Sequence, residues 1–195
     1  MMRTMSPASG EVQRSVASLL ELLAGSAGED YIGEGVSQLE HALQAADLAR
    51  SAGADDDEVL AALLHDVGHL SAPPELPRMG GLGVLRHEDV GADFLASLGL
   101  HASVTELVRG HVDAKRYLVA SDRRYADRLS DASRATLAHQ GGPMRDDERR
   151  AFVARPIHRA LLRIRSWDER AKEPGRRVDD LGAYAPLIAS HLRRR

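Results

Sequence analysis

Apolar residues recur at three- and four-residue intervals along most of the chain, the spacing that gathers them on one face of an α-helix. Val16, Leu19, Leu20 and Leu23 mark a first helix over 15–23. Ser37-Gln38-Leu39-Glu40 reads as a capping box, in which the serine hydroxyl and the glutamate three residues on each satisfy an orphan backbone N–H. Leu39, Ala42, Leu43, Ala46 and Ala49 follow on one face, and this second helix ends near Gly53. Asp55 with Glu58 repeats the capping pattern and opens a third helix, with Val59, Leu60, Leu63, Leu64 and Val67 inward and Gly68 weakening its end. Pro73, Pro74 and Pro77 exclude regular structure until about Gly83, because proline lacks the N–H a helix needs.

A fourth helix is expected over 84–98, closed by Gly99, and a fifth from a Ser103–Glu106 cap to about Ala114. Shorter segments over 126–129 and 130–138 precede the Gly141-Gly142-Pro143 break. Asp146 opens another helix, 156–167 supplies one more before the Pro174-Gly175 loop, and 184–192 closes the chain. No strand-like alternation and no internal repeat appears. The expected class is all-α, a helical bundle in one domain over 1–195.

Composition adds exclusions. At 195 residues, 43% hydrophobic and 28% charged, the chain has the make-up of a globular protein with a sizeable core. Aromatics are only 4%, so that core is built from aliphatic side chains. A net charge of −3 gives no reason to expect nucleic acid or an anionic membrane as partner, and the basic end Arg193-Arg194-Arg195 reads as solvated. With no cysteine, disulfides and thiolate metal sites are excluded, so any metal is held by nitrogen and oxygen. Met1 to Gly10 lacks the apolar run of a signal peptide, and the longest apolar stretch, 59–64, falls far short of a ~20-residue membrane span. A cytoplasmic protein is the expectation; oligomeric state leaves no mark in the sequence.

The chemistry lies in the placement of histidines. His65-Asp66 ends the most apolar helix, where an imidazole and a carboxylate among aliphatics are costly unless something compensates, as a metal cation does. Neighbouring helical residues point about 100° apart, so both can approach one cation, and His69 shares the face of His65 if the helix continues. One such histidine is more often a hydrogen-bonded core or capping residue. Here the pattern recurs: His41 follows Glu40 inside the second helix, His87 opens the fourth, His111 lies late in the fifth, and Asp168 follows the only tryptophan, Trp167. Four histidines and two aspartates exceed what one ion takes from protein and suit two ions sharing a carboxylate, for which Asp66 is the natural candidate. His101, His139, His158 and His191 lie in polar or arginine-rich surroundings and read as surface or supporting residues.

These residues in this order, His41, then His65-Asp66, then Asp168, resemble the HD superfamily, most of whose members are phosphohydrolases. The added His87 and His111 look like its two-metal branch, which includes mixed-valence di-iron oxygenases. Tyr31-Ile32-Gly33-Glu34, Gln38-Leu39-Glu40-His41, the stretch from Gly110 to Leu118, Leu129-Ser130-Asp131-Ala132-Ser133-Arg134, Gln140-Gly141-Gly142-Pro143-Met144 and Ile164-Arg165-Ser166-Trp167-Asp168 resemble segments of the glycine-forming 2-amino-1-hydroxyethylphosphonate dioxygenases. The resemblance spans about 31–168.

It implies two iron ions, Fe(II) and Fe(III), with O2 as co-substrate. One ion falls to His41, His65, Asp66 and Asp168, the other to Asp66, His87 and His111. Tyr31 would occupy the second iron until substrate displaces it, and Glu34 would receive the substrate amine. His69, Lys115, Ser133, Thr136 and Arg165 would surround the phosphonate, for which a lysine charge, an arginine fork and hydroxyl donors are apt. Without the resemblance, Lys115 and Arg165 read as solvated and Ser133 and Thr136 as caps of a short helix. The implied reaction takes hydrogen from the hydroxyl-bearing carbon and cleaves the carbon–phosphorus bond to give glycine and phosphate. Three alternatives stay open: the same chemistry on the trimethylammonio analogue, a metal-dependent HD phosphohydrolase, and a non-catalytic module with a vestigial site.

Overall fold

The computed structural model describes residues 7–31 and 33–194. Met1–Ser6, Ile32 and Arg195 lie outside the described residues, and with them most of the stretch read above for a leader, one position of the 31–34 segment and the end of the basic tail. The elements are α1 (Pro7–Gly25), α2 (Gln38–Ser51), α3 (Asp56–Leu64), α4 (Val67–Ser71), α5 (His87–Ser97), α6 (Ala102–Ser121), α7 (Arg123–Arg128), α8 (Asp131–His139), α9 (Asp146–Ala154), α10 (His158–Arg170) and α11 (Ala185–Arg193). No strand joins them among the described residues, and the all-α class holds.

α6 lies in the middle, against α3, α5 and α10, while α2 packs on α3 and α10. α1 and α11 cover one side. The core between them is aliphatic, as the low aromatic content requires: Leu60, Leu63 and Leu64 of α3, Leu95 of α5, Val104 and Val108 of α6, and Leu161 and Ile164 of α10 are all buried.

The local signals held where the partners are local. Ser37 caps α2 in a complete box, its Oγ accepting from Glu40 N–H (3.1 Å) while Glu40 accepts from Ser37 N–H (2.7 Å). Asp55 caps α3 by accepting from Glu58 N–H (2.9 Å), but Glu58 does not complete a box. Its carboxylate turns instead to Arg163 of α10, an ion pair across the bundle.

Elsewhere tertiary contacts move the boundaries. The third helix does not run on to Val67: it stops at Leu64, and Asp66 leaves helical geometry (φ −99°, ψ 7°) before α4 resumes. α5 begins at His87 rather than Val84, because Val84 is held in a bridge to Arg78 and donates its N–H to His69 Nδ1 (3.0 Å). Arg86, in the left-handed region at φ 58°, makes the turn into the helix. α6 starts at Ala102, not at a Ser103 cap, since Ser103 is engaged by Asp57 of α3. It continues past Ala114 to Ser121 because Tyr117 carries the buried face onward, stacking on Phe152 at 4.7 Å.

One close approach positions the site. A Cβ on Gly68 would lie 1.9 Å from the His87 carbonyl oxygen and 2.7 Å from the Gly91 nitrogen. The main chains of α4 and α5 therefore touch where both residues lack side chains, and that contact sets His87 beside Asp66.

Candidate metal centre

Five elements converge. α2 contributes His41, the break between α3 and α4 contributes His65 and Asp66, α5 contributes His87 as its first residue, α6 contributes His111, and α10 contributes Asp168. The four histidines and Asp168 are buried. The break is the device that places Asp66: an unbroken helix would hold it about 100° from His65, whereas here it faces all four imidazoles.

Hydrogen bonding fixes what these rings offer. His41 Nδ1 lies 2.8 Å from the Ala171 carbonyl, His65 Nδ1 2.9 Å from that of Ala62, and His111 Nδ1 2.7 Å from that of Val108. A carbonyl oxygen only accepts, so each Nδ1 carries the proton and each Nε2 is left with a lone pair. Yet His41 Nε2 faces His65 Nε2 at 3.1 Å, and His87 Nε2 faces His111 Nε2 at 3.1 Å. For His41 and His65, whose Nδ1 atoms both face carbonyls, two neutral rings would meet lone pair to lone pair, a contact that positive charge between them relieves, while His87 Nδ1 is buried without a hydrogen-bond partner.

Asp66 joins the pairs. Its Oδ2 lies 3.4 Å from His65 Nε2 and 3.8 Å from His41 Nε2, while its Oδ1 lies 3.2 Å from His87 Nε2 and 3.5 Å from His111 Nε2. One oxygen thus serves each pair. Asp168 adds Oδ1 to the first, 3.5 Å from His41 Nε2, and that buried oxygen has no hydrogen-bond partner. Its other oxygen is held by Arg165 in a close ion pair. Converging nitrogen and oxygen donors with an orphaned carboxylate oxygen fit two divalent or trivalent cations bridged by Asp66.

The electrostatics agree. Burial and the neighbouring His65 bring the His41 imidazole down to about 4. Burial acts the same way on His65, but the Asp66 and Asp168 carboxylates outweigh it and push that ring up to about 9. Against the cost of burial, His65 and its neighbours hold Asp66 well below the usual carboxylate range, as Arg165 and His65 do for Asp168. The cluster demands positive charge between its rings.

His69 differs from its neighbours. It stacks on His87, with ring centroids 4.0 Å apart, and with Asp66 and His87 its nitrogens would group as a third set of donors. Its Nδ1, however, accepts from Val84 N–H, so its Nε2 carries the proton and serves as a donor.

A cavity of about 50 Å³ opens beside the centre, lined by Tyr31, Glu34, His69, Lys115, Ser133, Thr136 and Arg165 together with Asp66, His87, His111 and Asp168. The structure thus brings together the candidate site residues, and only His41 and His65 stand outside the cavity lining, behind it as the deeper pair. Tyr31 stacks on His41 (3.8 Å between centroids), and its hydroxyl bonds to Asp66. Lys115 is 4% exposed and, among the described residues, donates only to Thr136 Oγ1, at 3.0 Å, without a carboxylate. Burial, with Arg165 adding to it, brings its ammonium down to about 7. Arg165 is equally buried, bonding to Tyr125 Oη (2.7 Å) and approaching Ser133 Oγ (3.4 Å). Neither cation is solvated, and Ser130, not Ser133, caps α8.

Two participants left no sequence signal. Tyr125 holds Arg165, and Lys172 lies 2.8 Å from Glu34 Oε1; in each case the partner is 40 or more residues away and no periodicity links them. His191 corrects a reading: it is wholly buried, bonded to Asp57 through Nδ1 (3.0 Å), and is not a surface or site residue.

Residues 39–173 match the model of the HD domain. The chain is 40% identical over 178 residues to a hydroxymethylphosphonate dioxygenase of Gimesia maris, covering 91% of this chain and 88% of that one. It is 36% identical over 160 residues to a glycine-betaine-forming [1-hydroxy-2-(trimethylamino)ethyl]phosphonate dioxygenase of Leisingera caerulea, covering 82% and 81%. An uncharacterized protein of Acanthamoeba polyphaga mimivirus is 36% identical over 183 residues, covering 93% and 84%.

Proposed function

The chain belongs to the HD-domain family, and from that premise we propose that it is an iron-dependent oxygenase that uses O2 to cleave the carbon–phosphorus bond of a small 1-hydroxyphosphonate. The observation that carries the reading is the pair of facing imidazole couples sharing Asp66, with the buried, carboxylate-free Lys115 beside them. His41, His65, Asp66 and Asp168 would hold one ion and Asp66, His87 and His111 the other. An Fe(II)/Fe(III) pair bound there supplies the activation of O2.

The protein's own groups bind and orient. A phosphonate dianion entering the cavity meets the Lys115 ammonium, the Arg165 guanidinium, the Ser133 and Thr136 hydroxyls and the protonated Nε2 of His69. Those donors are charged or buried, so they gain more from an anion than exposed groups would. Tyr31, seated on His41 and bonded to Asp66, shields the centre from water until a ligand takes its place. Burial, with the Asp66 and Asp168 charges, raises the Tyr31 hydroxyl well above its ordinary value and keeps it a neutral donor.

The reaction balances without a further reductant. The hydroxyl-bearing carbon loses hydrogen and phosphorus and becomes a carboxylate, the phosphoryl group leaves as phosphate, and both atoms of O2 end in those two products with release of one proton. Within the class, the residue-level resemblance alone points to 2-amino-1-hydroxyethylphosphonate, giving glycine, or to its trimethylammonio analogue, but it takes no account of the Lys172 ammonium that already pairs with Glu34. The Gimesia maris relative adds hydroxymethylphosphonate, which would give formate.

Phosphate release from these three compounds by iron-loaded protein, with and without O2, tests the reading. O2-dependent phosphate from any of them is the expected result. Phosphate formed equally well without O2 would make the protein a hydrolase, and none from all three would remove the oxygenase.

A further inference from the structure

Among the described residues, Glu34 and Lys172 form the one ion pair in the cavity lining that the metal centre and phosphonate donors leave unused. Glu34 sits on a short loop whose ends, Asp30 and Ser37, pair in an antiparallel bridge. Gly33, at φ 70°, makes the turn, and Glu34 N–H donates to the Tyr31 carbonyl at 2.8 Å. Lys172 lies two residues beyond the end of α10. Its Nζ lies 2.8 Å from Glu34 Oε1, 3.4 Å from Ser130 Oγ and 5.9 Å from the centroid of the Tyr31 ring. Both side chains are largely shielded, at 14% and 15% exposure.

The charges around the cavity can be assigned. Its acidic side chains are Glu34, Asp66 and Asp168, and its basic ones Lys115, Arg165 and Lys172. Asp66 and Asp168 face the imidazoles and Arg165. Glu34 is the carboxylate left for a positively charged ligand group, and this chain's own ammonium already occupies it. A ligand ammonium taking Glu34 would strand Lys172 with a serine hydroxyl and a phenol ring, neither of them an anion, in a place mostly closed to water. Removing the anionic partner of a shielded charge is costly, and two ammonium groups on one carboxylate repel.

Resting on the oxygenase reading above, we propose that Lys172 is a specificity-determining residue that keeps Glu34 neutralised, so that the cavity selects a hydroxyphosphonate without a cationic substituent, hydroxymethylphosphonate being the simplest. Lys172 does so by supplying internally the charge that an amino group would otherwise bring.

The test compares hydroxymethylphosphonate with 2-amino-1-hydroxyethylphosphonate on the iron-loaded full chain. It reads kcat/KM in air and equilibrium binding without O2. Wild type is expected to favour the hydroxymethyl compound by about tenfold or more, the scale of one charge-assisted hydrogen bond. Lys172→Met keeps the stem and removes the charge, and should move that ratio by a similar factor toward the amine. Adding Glu34→Gln should return it. Wild type preferring the amino compound would overturn the proposal even if the variants fail to fold, and so would a Lys172→Met ratio within about twofold of wild type. Failure of O2-dependent turnover with both compounds and with the trimethylammonio analogue would remove the oxygenase reading instead, while the binding preference would still decide the role of Lys172.

Discussion

α3 has a histidine–aspartate cluster at each end, and the two behave oppositely. At its start, His191 of α11 donates through Nδ1 to Asp57 and accepts through Nε2 from the His101 backbone N–H at 3.0 Å. Asp57 also takes Arg194 at 3.2 Å. Every donor there has an acceptor, and the cluster is a clip between helices. At the other end, His65 and its partners turn bare nitrogens toward one another and toward Asp66. The residue types are the same, and the histidine at each end is buried. What separates a structural histidine from a metal-binding one is the direction of the lone pairs left over once the backbone has taken its share.

That contrast can be broken most severely at Asp66. Asp66→Ala removes an oxygen from both imidazole pairs, so bound iron measured by elemental analysis should fall to nearly none and turnover by about 100-fold or more, beyond the 10–100-fold typical of outer-shell losses. Full iron content in that variant would end the shared-carboxylate model. Gly68→Ala comes next. Its Cβ would collide with the His87 carbonyl at 1.9 Å, so α5 must shift. The His87–His111 pair should lose its ion while the His41–His65 pair keeps one, with a stability loss of about 1–3 kcal/mol in urea unfolding.

Lys115→Ala should leave iron in place and raise KM about 10–100-fold, because it removes a charge-assisted contact to the phosphonate alone. The same residue sets a pH dependence. Burial lowers its ammonium to about 7, so the charged form is present below that value and lost as pH rises through it. The kcat/KM profile should fall on that side, and Lys115→Arg, which stays charged, should remove the falling limb. The smallest effect belongs to the clip. His191→Phe should cost about 1–3 kcal/mol by leaving Asp57 short of a donor, with iron content unchanged. Iron lost in that variant would mean the two ends of α3 are not separate in kind.

Much of this architecture was legible where partners are close in sequence. The Ser37–Glu40 box needs only four residues, and α2 begins where it says. The chemistry of His65-Asp66 was visible because a charged pair stood out in an apolar run, but the helix break between them was not, since it is enforced by α4 meeting α5 at Gly68 and Gly91. Periodicity ended α6 at Ala114, yet Tyr117 finds Phe152 and the helix runs on. Lys172 was invisible for the same reason as Arg163. Each is one of many basic residues near α10, and its meaning comes from a carboxylate more than 100 residues away.

The crossing of α4 and α5 has a consequence for anyone reshaping this protein toward other phosphonates. At position 68 the usable alphabet has one letter, because every other residue brings a Cβ into a carbonyl oxygen. Positions 34 and 172 sit on a loop and just beyond a helix end, where side chains can be exchanged without moving a backbone. Libraries that diversify the loop and spare the crossing would explore new substrates while leaving the spacing of the paired imidazoles intact.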